Sequence, residues 1–125
     1  MKFLILVLLF FTHLISFAGW SKVSENTDGD SFYVDFDRIK KNNGYVYFWR
    51  LSDMVTPTEN GNLSFKNYDQ VECSYPRYKT LSMIFYKESM GIGSGETYTP
   101  DQKWIYAPPN SSAESVLKRV CGLIK

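Results

Sequence analysis

The stretch DSFYVDFDRIKKNNGYVYFWRLSDM, residues 30–54, holds two runs of alternating side chains separated by an Asn-Gly pair. In the first run Phe32, Val34 and Phe36 share one face and leave a tyrosine and two aspartates on the other, which is the pattern of a half-buried strand. Asn43 and Gly44 both tolerate a positive φ, and this pairing favours a tight turn. The stretch therefore predicts two successive strands with that turn before the second.

The second run, YVYFWRLSDM, carries large side chains on both of its faces. One face carries Tyr45, Tyr47, Trp49 and Leu51, and the other carries Val46 and Phe48. Such a strand is central in its sheet, or its second face is covered. Because Tyr and Trp are frequent at interfaces, Tyr45, Tyr47 and Trp49 form the candidate interaction face. This face could be covered by a second copy of the chain, by a protein ligand, or by loops such as TPTENGN. The alternating pattern does not decide which of the two faces packs against a helix.

The first 18 residues have the pattern of a secretory signal peptide. Lys2 precedes the apolar run from Phe3 to Phe11, and Ser16-Phe17-Ala18 supplies small residues for cleavage near Ala18. The apolar run is too short to span a bilayer, although a retained anchor is the alternative. Gly19 follows the cut, so the acylated cysteine of a lipoprotein is missing. We expect an exported single domain, residues 19–125, without a membrane anchor after cleavage and located in the periplasm, outside the cell or on its surface.

The last residues, SSAESVLKRVCGLIK, change to a helical period. The apolar stripe consists of Ala113, Val116, Leu117, Val120, Cys121 and Ile124. Ser111 and Glu114 have the spacing of a capping box, and Pro108-Pro109 prevents an earlier start. The stripe includes Cys121, and the only other cysteine is Cys73, near the end of a candidate strand. In an oxidising compartment these two are expected to form a disulfide, with two unrelated buried thiols as the alternative.

Between these segments lie three further strand candidates. They are LSFKNYDQVEC, RYKTLSMIFYKES, in which Leu81, Met83 and Phe85 are expected on one side, and the short TYTP. Strands followed by one terminal helix indicate an α+β fold. We predict an antiparallel, mostly meander β-sheet of about five to six strands, with one C-terminal α-helix packed on it and tied by the disulfide.

The composition argues against most catalytic and nucleic-acid-binding functions. Without Lys2 the chain has 13 basic and 13 acidic residues, and it has no long basic block, so nucleic acid is not expected as a partner. The only histidine, His13, lies in the signal peptide, which removes Ser-His and Cys-His pairs and histidine metal sites. Asp35 and Asp37 share a strand face, where we expect them to be solvated rather than catalytic. No enzyme activity, cofactor or metal is therefore predicted.

The segment MGIGSGE, residues 90–96, places three glycines at alternate positions. A phosphate-binding loop needs a Lys-Ser/Thr pair that leads into a helix, whereas Glu96 is followed by the strand-prone Thr97 and Tyr98. The segment also lacks the spacing of the dinucleotide fingerprint. It is expected to be a connection between strands.

The order of these motifs resembles the surface-adhesin protein E family of Gram-negative bacteria. The resemblance runs from Trp20 through DGDSFYVDFDRIKKNNG, VYFWRLSDM, Ser64-Phe65-Lys66, VECSYPRYKTLSMIFYKESMGIGSG and Trp104 to Val120-Cys121. It implies a small antiparallel sheet with a disulfide-held C-terminal helix, dimerisation, and adhesion to host proteins such as laminin, vitronectin and plasminogen. Two departures are the missing acylated cysteine and the lack of a matching short host-binding segment.

Two functions follow from the residues and the resemblance. The first is a secreted or surface-exposed, non-enzymatic protein-binding module that adheres to host matrix or plasma proteins. The alternative is a soluble periplasmic domain that interacts with the envelope and has no adhesive role. The expected partner is a protein ligand, from the host matrix or the envelope, or a second copy of the chain.

Overall fold

A computed structural model describes residues 19–122, which form one antiparallel β-sheet and one α-helix. The strands are β1 (Trp20–Glu25), β2 (Ser31–Asp35), β3 (Lys40–Asn42), β4 (Tyr45–Asp53), β5 (Ser64–Glu72), β6 (Arg77–Tyr86), β7 (Glu96–Tyr98) and β8 (Ile105–Tyr106), and the helix is α1 (Ser112–Gly122). The predicted α+β architecture is confirmed. The predicted signal peptide and Ile124, the last residue of the predicted stripe, lie outside the described residues.

The sheet has more strands than predicted because two of its edges are interrupted. The main order is β1-β2-β4-β5-β6-β7, with β3 paired to the other end of β4 and β8 paired to the other end of β6. Thus β2 and β3 share one side of β4, while β7 and β8 share one side of β6. β4 is a central strand, as its two bulky faces indicate, because it pairs with β5 on its other side.

The break between β2 and β3 is a 3₁₀-helix, Phe36–Arg38, which the alternating pattern did not predict. The Asp35 carboxylate accepts a hydrogen bond of 3.2 Å from the backbone N–H of Asp37, and its other oxygen lies 3.4 Å from Arg38 Nε. Asp35 is only 7% exposed. The expectation of two solvated aspartates on one strand face is wrong for Asp35, which is buried and caps the 3₁₀-helix. Asp37 is exposed, as expected, but it lies in that helix and not on a strand face.

Turns at two places follow from short polar sequences. Asn43 and Gly44 have φ values of 52° and 84° and connect β3 to β4, which confirms the predicted turn. Before β2, the buried Asp30 carboxylate accepts hydrogen bonds from the Asn26 side chain at 3.0 Å and from the Val55 backbone at 2.9 Å. These two hydrogen bonds favour the ionised carboxylate and therefore lower the pKa of Asp30, and the bond from Asn26 has the larger effect.

The helix packs on the face of the sheet that carries Val46 and Phe48. The buried core consists of Val34, Val46, Phe48 and Val71 from the sheet and Val116, Leu117 and Val120 from α1. The side-chain oxygen of Ser111 accepts a hydrogen bond from the Glu114 backbone at 3.1 Å, and the Glu114 carboxylate accepts one from the Asn110 backbone at 3.1 Å. The helix thus begins where the capping box predicts.

A disulfide joins Cys73, just after β5, to Cys121 in the last turn of α1. The two Cα atoms are 5.7 Å apart, and the residues are separated by 48 positions in the sequence. The predicted pairing is confirmed. The bond fixes the C-terminal end of the helix on the sheet, while the cap fixes its beginning.

Candidate functional site

The face of the sheet opposite α1, which we call the outer face, carries the three aromatic residues that the sequence singled out. Tyr45, Tyr47 and Trp49 alternate with the buried Val46 and Phe48, and all three are partly exposed. Because residues paired across antiparallel strands share a face, Gln70 lies beside Tyr47 and Tyr68 lies beside Trp49. The helix therefore leaves this face open, and β4 and β5 form its centre.

The three predicted residues separate into two aromatic groups. Tyr68 joins Tyr47 and Trp49, with ring centroids 6.2 Å and 4.9 Å apart. Tyr45 instead stacks on Trp104, at 5.9 Å between centroids. The sequence-based prediction missed Tyr68 and Trp104. The alternation Lys66-Tyr68-Gln70 in β5 gave a signal for Tyr68, but Trp104 lies in an irregular segment, where periodicity gives none.

Positively charged side chains rest on aromatic rings around these groups. The Arg77 guanidinium and the Lys79 ammonium lie 4.4 Å and 4.5 Å from the ring centroid of Trp104. Lys66 lies 5.1 Å from the ring centroid of Tyr86, on the neighbouring part of the outer face. Such contacts attract the cation to the negative face of the ring and contribute about 0.5–1 kcal/mol each at exposed sites. The outer face is therefore both aromatic and cationic.

Two carboxylates near this face, those of Asp35 and Glu72, each have an arginine partner, whereas several lysines are in no ion pair. Arg77 pairs with Glu72 at 2.7 Å, and this hydrogen bond raises the pKa of Arg77. Among the ion pairs within residues 19–122, Lys40, Lys66 and Lys79 take part in none. The free charge at the centre of the outer face is consequently positive.

One end of the outer face is covered by the glycine-rich segment, which connects β6 to β7 as predicted. The backbone N–H of Met90 donates to the Asp53 carboxylate at 2.7 Å, and that of Gly91 donates to the Ser64 hydroxyl at 2.8 Å. Leu51, the fourth large residue on this side of β4, is fully buried. A loop therefore covers the face at Leu51, while Tyr47 remains accessible.

Two positions in this loop require glycine for steric reasons. Gly91 has a φ of 66°, which disfavours any residue with a side chain. At Gly95 an added methyl group would lie 2.8 Å from the Tyr86 ring and would also overlap the Ile84 side chain. The glycines allow the loop to approach the sheet closely, which is a packing role.

A family model for surface-adhesin protein E matches residues 20–122. The chain belongs to the surface-adhesin protein E family. Solved structures of Haemophilus influenzae protein E have the same fold: crystal form II has a TM-score of 0.62 at 19% identity and covers 85% of this chain and 89% of that one. The selenomethionine form has a TM-score of 0.60 at 20% identity, with coverages of 84% and 87%. No curated protein matches the chain.

On the inner side of this adhesin-family domain, the buried Asp69 carboxylate is paired with the partly exposed Arg50. Arg50 donates through Nε to the Asp69 carboxylate, whose other oxygen accepts a hydrogen bond of 2.7 Å from the Thr80 hydroxyl. Burial alone lowers the pKa of Arg50, but the attraction and hydrogen bond of Asp69 outweigh it, so the pKa is raised. The pair joins β4, β5 and β6 below the helix and is satisfied within the sheet.

Residues 19–122 contain no metal-ligand cluster, no free cysteine and no membrane-spanning helix. Within residues 19–122, no three His, Cys, Asp or Glu side chains come together as metal ligands. Both cysteines there are bonded to each other. In the same part of the chain, no helix combines the length and the hydropathy that crossing a membrane requires. The aromatic and cationic side chains of the outer face define the candidate site.

Proposed function

We propose that this member of the adhesin family is an exported, non-enzymatic protein-binding module and that the outer face is its binding surface. The observation that carries the proposal is the cluster of Tyr47, Trp49 and Tyr68, which is partly exposed on the face that α1 leaves open. Aromatic side chains of this kind bury a large area on binding and still keep a polar group. The membership in a surface-adhesin family supports the same function.

The proposal includes a location. Residues 1–18 act as a signal peptide that is cleaved near Ala18, and residues 19–125 form the single mature domain. The partner is a host matrix or plasma protein if the domain reaches the cell surface, or an envelope protein if it stays in the periplasm. Labelling of intact cells with a membrane-impermeant reagent, compared with release by osmotic shock, distinguishes the two. A second copy of the chain is the alternative occupant of the outer face.

The test uses two neighbouring residues that point to opposite faces. Tyr47→Ser removes a ring from the outer face and should leave the circular dichroism spectrum unchanged. Phe48→Ser removes a fully buried ring and should unfold the domain, since such changes cost about 3–5 kcal/mol. The folded Tyr47 variant should lose binding to immobilised laminin, vitronectin or plasminogen, or shift its mass in solution if the occupant is a second copy.

The proposal fails if the Tyr47 variant is folded and neither its binding nor its mass differs from that of the unaltered protein. In that case the interaction surface lies elsewhere on the domain. If Tyr47→Ser also unfolds the protein, Trp49→Phe provides a milder change at the same cluster. Loss of binding with Trp49→Phe at unchanged thermal stability supports the outer face, and retention of full binding contradicts it.

A further inference from the structure

We propose that the outer face also binds a linear anionic polysaccharide, with Lys40 and Lys79 holding anionic groups on either side of the aromatic cluster. This inference rests on the proposed function, because it uses the same outer face as the binding surface. It goes beyond that function because the ligand is a polysaccharide and not a protein. The register of the sheet carries it. Lys40 is paired with Tyr47, Tyr47 with Gln70, and Gln70 with Lys79, so the four residues form one row across β3, β4, β5 and β6.

The length of this row determines how large the ligand must be. Neighbouring strands are about 4.8 Å apart, so the Cα atoms of Lys40 and Lys79 are about 14 Å apart. A single carboxylate or sulfate cannot contact both ammonium groups unless both side chains bend toward it. An extended ligand with at least two anionic groups can contact both of them and lie over Tyr47 and Gln70 between them.

The charges of the row are available for such a ligand. Neither Lys40 nor Lys79 takes part in any ion pair among the described residues, whereas the carboxylates of Asp35 and Glu72 are each paired with an arginine. Lys66, also outside those pairs, extends the positive charge along β5. The mature chain is close to neutral as a whole, so this local excess, rather than the net charge, is what attracts an anionic polymer.

The position of the row on a sheet face favours a polysaccharide over an acidic peptide. An extended peptide binds sheets at an edge, where it pairs with free backbone groups. The backbones of β4 and β5 are already paired on both sides, so a ligand on this face meets side chains only. Tyr47, Gln70 and Tyr68 offer rings, hydroxyls and an amide, which suit the C–H faces and hydroxyl groups of sugars.

An open hollow next to Lys40 gives the polymer a place to continue. It is lined by Arg38, Lys40, Trp49 and Tyr68, together with Asp37 and Ile39. Two cations, one carboxylate and two aromatic rings thus line a concave surface at one end of the row, which leaves an excess of one positive charge. The ligand class that fits is a sulfated or uronic acid-containing polysaccharide of several sugar units.

The test measures binding of size-defined heparin oligosaccharides to protein expressed from the full sequence, by calorimetry at several NaCl concentrations. Lys40→Gln/Lys79→Gln is compared with Lys41→Gln/Lys118→Gln, which removes the same charge from the other side of the sheet and from α1. The first variant should bind roughly tenfold more weakly at low salt, and the slope of log K against log[NaCl] should become shallower by about two. The second variant should retain both values.

Lack of saturable heparin binding by the unaltered protein overturns the proposal, and so does equal weakening by both double variants. If poly-L-glutamate binds at least as tightly as heparin through the same lysines, the surface does not select a polysaccharide, and this result also overturns the proposal. Lys40→Arg/Lys79→Arg keeps both positive charges and should bind heparin as the unaltered protein does. It therefore tests the role of the two charges even if Lys40→Gln/Lys79→Gln is impaired in folding. Loss of heparin binding alone, with protein binding through Tyr47 intact, leaves the proposed function standing.

Discussion

Replacing both Cys73 and Cys121 with alanine is expected to lower the free energy of unfolding by about 4 kcal/mol. The disulfide closes a loop in which the two cysteines are 48 positions apart. In the chain-entropy model the bond reduces the entropy of the unfolded chain by about 2.1 + 1.5R ln n cal/mol/K, which is about 14 cal/mol/K for this loop and about 4 kcal/mol at 25 °C. Replacing both residues avoids leaving one free thiol.

The loss is measured by guanidinium denaturation of the oxidised protein and the double variant, followed by circular dichroism. For a domain of this size it corresponds to a decrease in Tm of roughly 15–30 °C. The unaltered protein with its disulfide reduced serves as the control, and it should unfold at the same guanidinium concentration as the double variant. A loss below about 1 kcal/mol would refute the reasoning, because the loop would then be constrained in the unfolded state without the bond.

Three further changes test the packing. Gly95→Ala should destabilise the domain by about 1–3 kcal/mol because its methyl group overlaps two side chains. At Gly122 an added methyl group meets no atom of residues 19–122 within 4 Å, so Gly122→Ala should not lower the Tm. Asp69→Asn should cost about 2–3 kcal/mol in denaturant unfolding, less than a fully buried pair, because the Arg50 side chain is 21% exposed and can be partly rehydrated. The lowered pKa of Asp30 means that its ionised form stabilises the native state above about pH 4, the ordinary pKa of the residue, and that this contribution is lost as the pH falls further. Asp30→Asn should therefore be less stable at pH 7 and lose less stability than the unaltered protein between about pH 4 and pH 2; an identical pH profile would contradict this assignment.

The main elements of the fold could be predicted because each depends on local sequence. The turn at Asn43-Gly44 needs only residues that accept a positive φ, and the start of α1 needs only Ser111 and Glu114. The side of the sheet that α1 covers could not be predicted, because both faces of β4 carry large side chains. That choice depends on buried residues contributed by several strands, such as Val34, Phe48 and Val71, and alternation within one strand does not show them together.

The breaks in the sheet and the place of Tyr68 in the aromatic cluster depend on contacts that a single segment does not show. The strand β2 ends because the Asp35 carboxylate bonds to a backbone N–H two residues later, although the apolar alternation continues through Phe36. In β6, Ser82 pairs with Tyr68 and Thr80 with Asp69, so Leu81 is the extra residue of a bulge. The sequence therefore indicates Tyr47 and Trp49 as candidates but not the arrangement of the residues around them.

The interrupted edges of the sheet have a consequence for solubility. An unpaired strand edge is a template on which another chain can add and start aggregation. On one side of the sheet the edge consists of β7 and β8, of three and two residues, and of residues 79–82 of β6, which lie between the two pairings. Residues 99–104, which include Pro100, separate β7 from β8. On the other side the ladder of β1 is irregular between Lys22 and Ser24. No free edge in residues 19–122 is a long regular strand. Growth of fibres by addition of other chains at an edge is therefore disfavoured, even though the sheet itself is rich in tyrosine and phenylalanine.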